Sequence, residues 1–202
     1  FTCADLGDNT VTLTVIDEQG NSSTCEATVT VQDNMDPTAN CAPYTASLNA
    51  SGDVTVNATD FDDNSTDNCT IATFEFSVDG GQTYQSSLTY NCSDVGTYGV
   101  LLRVTDQSGN SAECSTTLTV ADNSAPSISC PADVTFSTSN NGTGDCTGDV
   151  SWTTPSPTDN CGLSTFTYSY SGANTGSGSA SAGAPVSETF DEGVTTVTYT
   201  AT

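Results

Sequence analysis

The sequence predicts an all-β chain of small β-sandwiches in tandem, and three observations carry that prediction. The first is an internal repeat. A shift of 89 residues lays Cys3, Asp5 and Gly7 on Cys92, Asp94 and Gly96, and Asp17, Gly20, Asn21 and Cys25 on Asp106, Gly109, Asn110 and Cys114. The same shift lays Val31, Asp33, Pro37 and Cys41 on Val120, Asp122, Pro126 and Cys130. The second is strict alternation of Val or Leu with Thr, the period-two pattern of half-buried strands. The third is the spacing of turn signals, every ~8–12 residues, which suits a sandwich of about seven short strands. At 202 residues the chain has room for two to three such domains.

Residues 1–36 read as the second half of a domain whose front half is absent from the chain. Val11, Leu13 and Val15 alternate with Thr10, Thr12 and Thr14; residues 17–21 (DEQGN) make a turn; Ala27, Val29 and Val31 lie on the partner strand. Residues 37–124 read as a complete unit, with strands at 44–48, 54–58, 71–78, 84–90, 99–105 and 114–120. A turn at Asp79-Gly80-Gly81 and an acidic loop at 60–68 (DFDDNSTDN) separate them. Residues 125–202 begin a third unit with strands near 134–137, 150–153, 164–170 and 195–201, ending before its last strand. Trp152 is expected in that core, and the low-complexity stretch 171–183 reads as a flexible surface loop. Phe74, Phe76, Tyr84, Tyr90 and Tyr98 are expected in core and cross-strand pairs rather than on a sugar-stacking platform.

These segments carry a resemblance. CPADVTF (130–136), DVSWTTPSPTDNCG (149–162) and FDEGVTTVTYTAT (190–202) resemble the hyalin-repeat (HYR) domain. The middle unit, with SVDGGQTY and VTDQSGNSAEC, is similar to the immunoglobulin- and PKD-like repeats of very large Bacteroidota surface adhesins of the gliding-motility type. The resemblance implies immunoglobulin-like sandwiches in an extended array, in a segment of an extracellular adhesin at the cell surface or secreted.

Composition narrows the chemistry. Twenty-five acidic residues face a single base, Arg103, and there is no His, for a net charge of −24. Such a surface repels nucleic acid and anionic membranes, and no apolar run approaches the ~20 residues of a membrane span. Without His or Lys no nucleophile has a base poised near neutral pH, so the chain does not read as an enzyme. The first residue falls inside a repeat, so the sequence reads as a piece of a longer chain. The sequons at Asn21, Asn49, Asn57, Asn64, Asn68, Asn91 and Asn141 are of the kind that an Asn-, Ser- and Thr-rich chain generates by chance.

Nine cysteines without His or CxxC point to disulfides and an oxidising compartment. Alternating strand direction puts Cys41 and Cys114 at one end of the middle sandwich, so they are paired. Elimination then pairs Cys69 with Cys92 and Cys146 with Cys161, leaving Cys3, Cys25 and Cys130 with partners outside the sequence.

The carboxylates cluster at domain junctions. The linkers contribute Asp33 and Asp36 before Pro37, and Asp122 before Pro126. The loops after the second strand contribute Asp60, Asp62, Asp63, Asp67 and Asn68 at the first junction, and Asp159 and Asn160 at the second. The loop before the penultimate strand of the preceding domain contributes Asp5 or Asp94. Each feature alone is also an ordinary turn or a solvated loop. Their coincidence at both junctions points to structural Ca²⁺, which takes six to eight hard oxygen ligands, and the arrangement resembles the linker sites of cadherins. The leading function is a structural stalk or spacer in a repeat adhesin or surface filament, partnered by neighbouring repeats and stiffened by Ca²⁺ and disulfides. The alternatives are an adhesion module binding a polysaccharide or a protein, and a self-assembling fibre subunit.

Overall fold

The computed structural model describes residues 1–137, 144 and 146–202; the sequon at Asn141 lies outside the described residues. It is all-β, with thirteen strands and three short 3-10 turns among the described residues. Two compact units form: residues 1–47 with 54–121, and residues 48–53 with 122–202. The expected boundaries at 37 and 125 thus stand beside a grouping in which the first hairpin belongs with the middle sandwich.

The first unit opens with β1 (Gly7–Ile16) and β2 (Ser22–Val31), an antiparallel hairpin in unbroken register from Gly7↔Val31 to Ile16↔Ser22. Its turn is closed by the Asp17 carboxylate, which accepts from the backbone of Gln19 and Asn21 and from the Asn21 side chain, with Gly20 at φ +85°. Further along, β3 (Tyr44–Ser47), β4 (Asp53–Asn57), β5 (Ile71–Ser77), β6 (Ser87–Asn91), β7 (Gly96–Asp106) and β8 (Ser111–Ala121) build the sandwich. One sheet runs β3-β8-β7-β5 and the other pairs β4 with β6. The β7–β8 register runs from Gly96↔Val120 to Thr105↔Ser111. This is the β1–β2 register moved by the repeat length, so the repeat holds in pairing as well as in sequence.

The core between these sheets is small and aromatic-anchored. Val56, Phe61, Phe76, Val100, Leu102, Val104, Leu118 and Val120 are fully buried, and the Phe61 and Phe76 rings lie 5.2 Å apart. Tyr98, at the start of β7, donates its hydroxyl to the Asp94 carbonyl and ties the strand to the 3-10 turn before it. On the outer face Arg103 pairs with Glu75 at 2.6 Å and lies 3.8 Å over the Tyr84 ring. That cluster is solvent-screened and worth at most about 1 kcal/mol.

The second unit contains β9 (Thr147–Thr153), β10 (Phe166–Gly172), β11 (Gly176–Ser179), β12 (Pro185–Asp191) and β13 (Thr195–Ala201), in sheets β11-β10-β13 and β12-β9. Trp152 takes its expected place, stacked on Phe190 and edge-on to Tyr168, with its indole N–H donated to Tyr199 at 2.6 Å. The stretch 171–183 is not a structureless loop. Gly176 and Gly178 pass beneath the Tyr170 and Tyr168 rings, where a Cβ would come within 2.4 and 2.6 Å, so the glycines let β11 pair with β10. β12 escapes a periodicity reading because Glu188 sits on its half-buried side, accepting the Tyr168 hydroxyl.

The expected strand at 134–137 does not form. In the first unit the corresponding strand, β3, has one ladder partner, β8. Among the described residues no strand pairs with residues 134–137, and Val134 and Phe136 are exposed.

Six cysteines are disulfide-bonded, the mark of an oxidising environment. Cys41 bonds Cys114 as expected from strand direction, with Cα atoms 6.1 Å apart. Cys69, however, bonds Cys3 rather than Cys92. The elimination that paired Cys69 with Cys92 assumed that Cys3 was out of reach, whereas the first hairpin belongs to the same unit. Cys146 is free and exposed, so it does not pair with Cys161; Cys92 and Cys161 are both bonded, and Cys25 and Cys130 are free.

Repeat-equivalent positions therefore differ in energy. Leu102→Ala empties a filled core site and is expected to cost about 2–5 kcal/mol in urea unfolding. Leu13→Ala, its counterpart on β1 at 61% exposure, should change stability by no more than about 0.5 kcal/mol. A second expectation concerns acid. The Asp79 carboxyl is held far below its ordinary value by hydrogen bonds from the Ser77 hydroxyl and then from Thr83. Its contribution is present above the unfolded value of 3.8 and is lost as pH falls towards its folded value. Asp79→Asn should lower the melting temperature at neutral pH and flatten its decline below about pH 4.

Candidate metal centre

Three loops at one end of the middle sandwich converge on a carboxylate cluster. Asp33 follows β2 in the linker, Asp67 lies in the loop before β5, and Asp106 ends β7 at the turn into β8. One oxygen from each lies within 4.8 Å of the others.

Each carboxylate is fixed by local hydrogen bonds. Asp106 is 3% exposed. Its carboxyl accepts from the backbone N–H of Ser108 and Asn110 and from the Asn110 side chain, all at 2.8 Å. Burial opposes its ionisation, but the hydrogen bonds from Asn110, Gly109 and Ser108 together outweigh it and hold the carboxyl below its ordinary value. Asp67 Oδ2 accepts from the Cys69 N–H at 2.8 Å. Asp33 Oδ1 accepts from the Met35 N–H and from the Asn68 side chain at 3.1 Å, and the Asp33 carbonyl accepts from Asn110. The remaining oxygens, Asp33 Oδ2 and Asp67 Oδ1, are buried and have no hydrogen-bond partner.

Buried carboxylate oxygens without donors beside a third carboxylate are an unfavourable arrangement for the protein alone. An all-oxygen set suits a hard divalent cation, Ca²⁺, Mg²⁺ or Mn²⁺, and not zinc, which prefers nitrogen and sulfur.

Of the residues expected at metal sites, Asp33, Asp67 and Asn68 are brought together here. Asp5, Asp60 and Asp94 are instead capping residues, each accepting from a backbone N–H at the start of a 3-10 turn: Thr2, Asn57 and Asn91 respectively. Asp62 accepts from Ser65, and Asp36 is exposed in the linker. In the second unit Asp122 accepts from Ser124 and Asp159 from the Cys161 N–H at 2.9 Å, the same bond that Asp67 makes with Cys69. Asp159 Oδ2 is likewise buried without a partner. Asn160 donates to the Asn49 carbonyl. Asp106 was missed. Its motif DQSGN reads from sequence as a hairpin turn, which it is; the carboxylate nonetheless faces the linker because β7 ends where β2 hands over to Asp33.

No protein-family model and no curated protein matches the chain. Among solved structures it is similar to a carbohydrate-binding module of the β-sandwich superfamily, at 18% identity and a TM-score of 0.29, over 83% of this chain and 96% of that one. A likeness of that degree carries no argument about ligand.

If the Asx turn positions Asp106, then Asn110→Ala should destabilise the first unit even without added cation, because it removes donors to both Asp106 and Asp33. The expected cost is about 1–3 kcal/mol, read as a lower urea midpoint in the presence of a chelator.

Proposed function

We propose that this protein is a structural spacer segment of an extracellular repeat adhesin or surface filament of the HYR and PKD-like type, braced by Ca²⁺ at Asp33, Asp67 and Asp106. The observation that carries this reading is the pair of buried, donor-less oxygens of Asp33 and Asp67 beside Asp106. An ion there would tie the chain leaving β2 to both the β5 and β7 ends of the sandwich. It would fix the angle at which the chain enters the domain and stiffen it under load. Disulfides Cys3–Cys69 and Cys41–Cys114 support the same role by limiting extension.

The spacer reading is favoured over a glycan-binding module by where the aromatic rings lie. Phe61, Phe76, Tyr90, Tyr168 and Phe190 are buried, and the exposed aromatic residues among those described are Phe1 and Phe136. The remaining described rings, Trp152 and Tyr199 among them, are half-buried. Catalysis is disfavoured by the direction in which the fold moves its acids: Asp5, Asp17, Asp79 and Asp106 are all held ionised, opposite to a general acid.

Calorimetric melting with Ca²⁺, with chelator and with matched NaCl tests the proposal. The first unit's transition should rise with the logarithm of Ca²⁺, by about 2.7 kcal/mol of stabilisation at one hundred times Kd. Asp106→Asn should abolish the rise, and Asp36→Asn should leave it intact. No Ca²⁺-specific rise, or an equal rise in Asp106→Asn, would overturn the assignment.

A further inference from the structure

The Cys3–Cys69 disulfide borders the carboxylate cluster, and one side chain links the two. Asn68 donates its amide to Asp33 Oδ1 at 3.1 Å and to the Cys69 sulfur at 3.4 Å. The Cys69 backbone N–H is donated to Asp67 Oδ2 at 2.8 Å. Cys69 therefore fixes one candidate ligand through its N–H, and its sulfur shares a donor with a second. The other half of the bond, Cys3, begins the 3-10 turn Cys3–Asp5 ahead of β1, on the hairpin whose exit carries Asp33. Two of the three carboxylates thus stand on segments that this one bond ties together.

Packing does little to hold those segments together. Val11, Leu13, Val15 and Ile16 of β1 are 43–65% exposed, so the hairpin is not anchored through a buried apolar face. Its exit is held by polar contacts: Asn68 and Asn110 donate to Asp33, and the Thr38 and Thr66 backbones exchange hydrogen bonds just beyond. Among such contacts a covalent tether acts by preorganisation, keeping Asp33 at a high effective concentration beside Asp67. Cys3 is exposed, which puts the bond within reach of a soluble thiol. Cys41–Cys114 joins the chain before β3 to β8 and does not tether the hairpin.

We infer that Cys3 and Cys69 are positioning residues for the cation site, so that the disulfide and the bound cation stabilise each other. This rests on the cation reading of Asp33, Asp67 and Asp106. The oxidised chain holds Ca²⁺ more tightly than the reduced one, and by linkage Ca²⁺ favours the disulfide by the same factor. With a dithiol as reductant, the Cys3–Cys69 bond breaks while a cyclic disulfide forms in the reductant. Two electrons pass to the protein sulfurs, and two protons follow from the reductant's thiols. The pair acts as a clasp: loss of the cation makes the bond easier to reduce, reduction makes the cation easier to lose, and the two together release the hairpin.

The full 202-residue chain equilibrated in dithiothreitol redox buffers, with Ca²⁺ or with chelator at matched ionic strength, tests this. Alkylation and mass spectrometry read the oxidised fraction at Cys3 and Cys69, with Cys41 and Cys114 as the internal control. Saturating Ca²⁺ should shift the Cys3–Cys69 equilibrium towards the disulfide by about tenfold, or about 30 mV, and leave Cys41–Cys114 in place. The Cys3→Ser/Cys69→Ser chain should bind Ca²⁺ about tenfold more weakly in isothermal titration. Asn68→Ala keeps the bond, removes the shared donor, and should show a smaller factor. A Cys3–Cys69 equilibrium unmoved by Ca²⁺, in a chain whose melting still rises with Ca²⁺, would overturn the coupling and leave the cation site standing. Equal shifts at both disulfides would also overturn it, since general stabilisation would then account for them. If neither melting nor the redox equilibrium responds to Ca²⁺, the cation assignment itself falls and the coupling with it.

Discussion

An antiparallel ribbon of alternating residues buries its apolar face only if a second layer covers it, and this molecule displays the same ribbon in both conditions. β7 and β8 lie in a four-stranded sheet over β4 and β6, and Val100, Leu102, Val104 and Leu118 are fully buried. β1 and β2 keep the identical register and turn, yet Val11, Leu13, Val15 and Val29 face solvent. Pairing is local and survives in both. Burial is collective, and with it most of the hydrophobic free energy.

The carboxylate cluster depends on that frame. The Cys3–Cys69 bond and the hydrogen bonds from Asn68 and Asn110 to Asp33 hold the exit of β2 at the end of the sandwich where β7 ends and the loop before β5 returns. Three acids distant in sequence are then held close by hydrogen bonds each makes with its own loop: Asp106 with 108–110, Asp67 with Cys69, Asp33 with Met35. Those bonds fix one oxygen of Asp33 and of Asp67 and turn the other inward. The charge problem is therefore built by turn geometry and not by chance proximity of flexible side chains.

The disulfides follow the same logic of layers. Cys41–Cys114 joins the chain before β3 to β8, reinforcing the parallel contact that has the fewest ladder residues in its sheet. Cys3–Cys69 fastens the first hairpin to the loop that carries Asp67, which brings covalent and ionic constraint to the same short stretch. In the second unit Cys130 is a free thiol and residues 131–137 form no strand.

The alternation of Val and Leu with Thr, the Asp-x-x-Gly-Asn turns and the repeat were enough to determine strand type, hairpin register and the all-β class, because each is a short-range preference with period two. Trp152 was legible as a large apolar residue in a sandwich strand, and the Cys41–Cys114 bond from the alternating direction of the strands. What only the tertiary structure decided is which faces are covered and which loops meet. Glu188 on a half-buried side and glycines beneath tyrosine rings hid β12 and β11 from any periodicity. The strand expected at 134–137 does not form, and no local pattern in those residues reports it. Asp106 looks in sequence like any turn residue. It becomes a third carboxylate beside Asp33 and Asp67 only because the linker after β2, the loop before β5 and the turn after β7 are folded to one place, and that is a property of the tertiary contacts among them, not of any one segment.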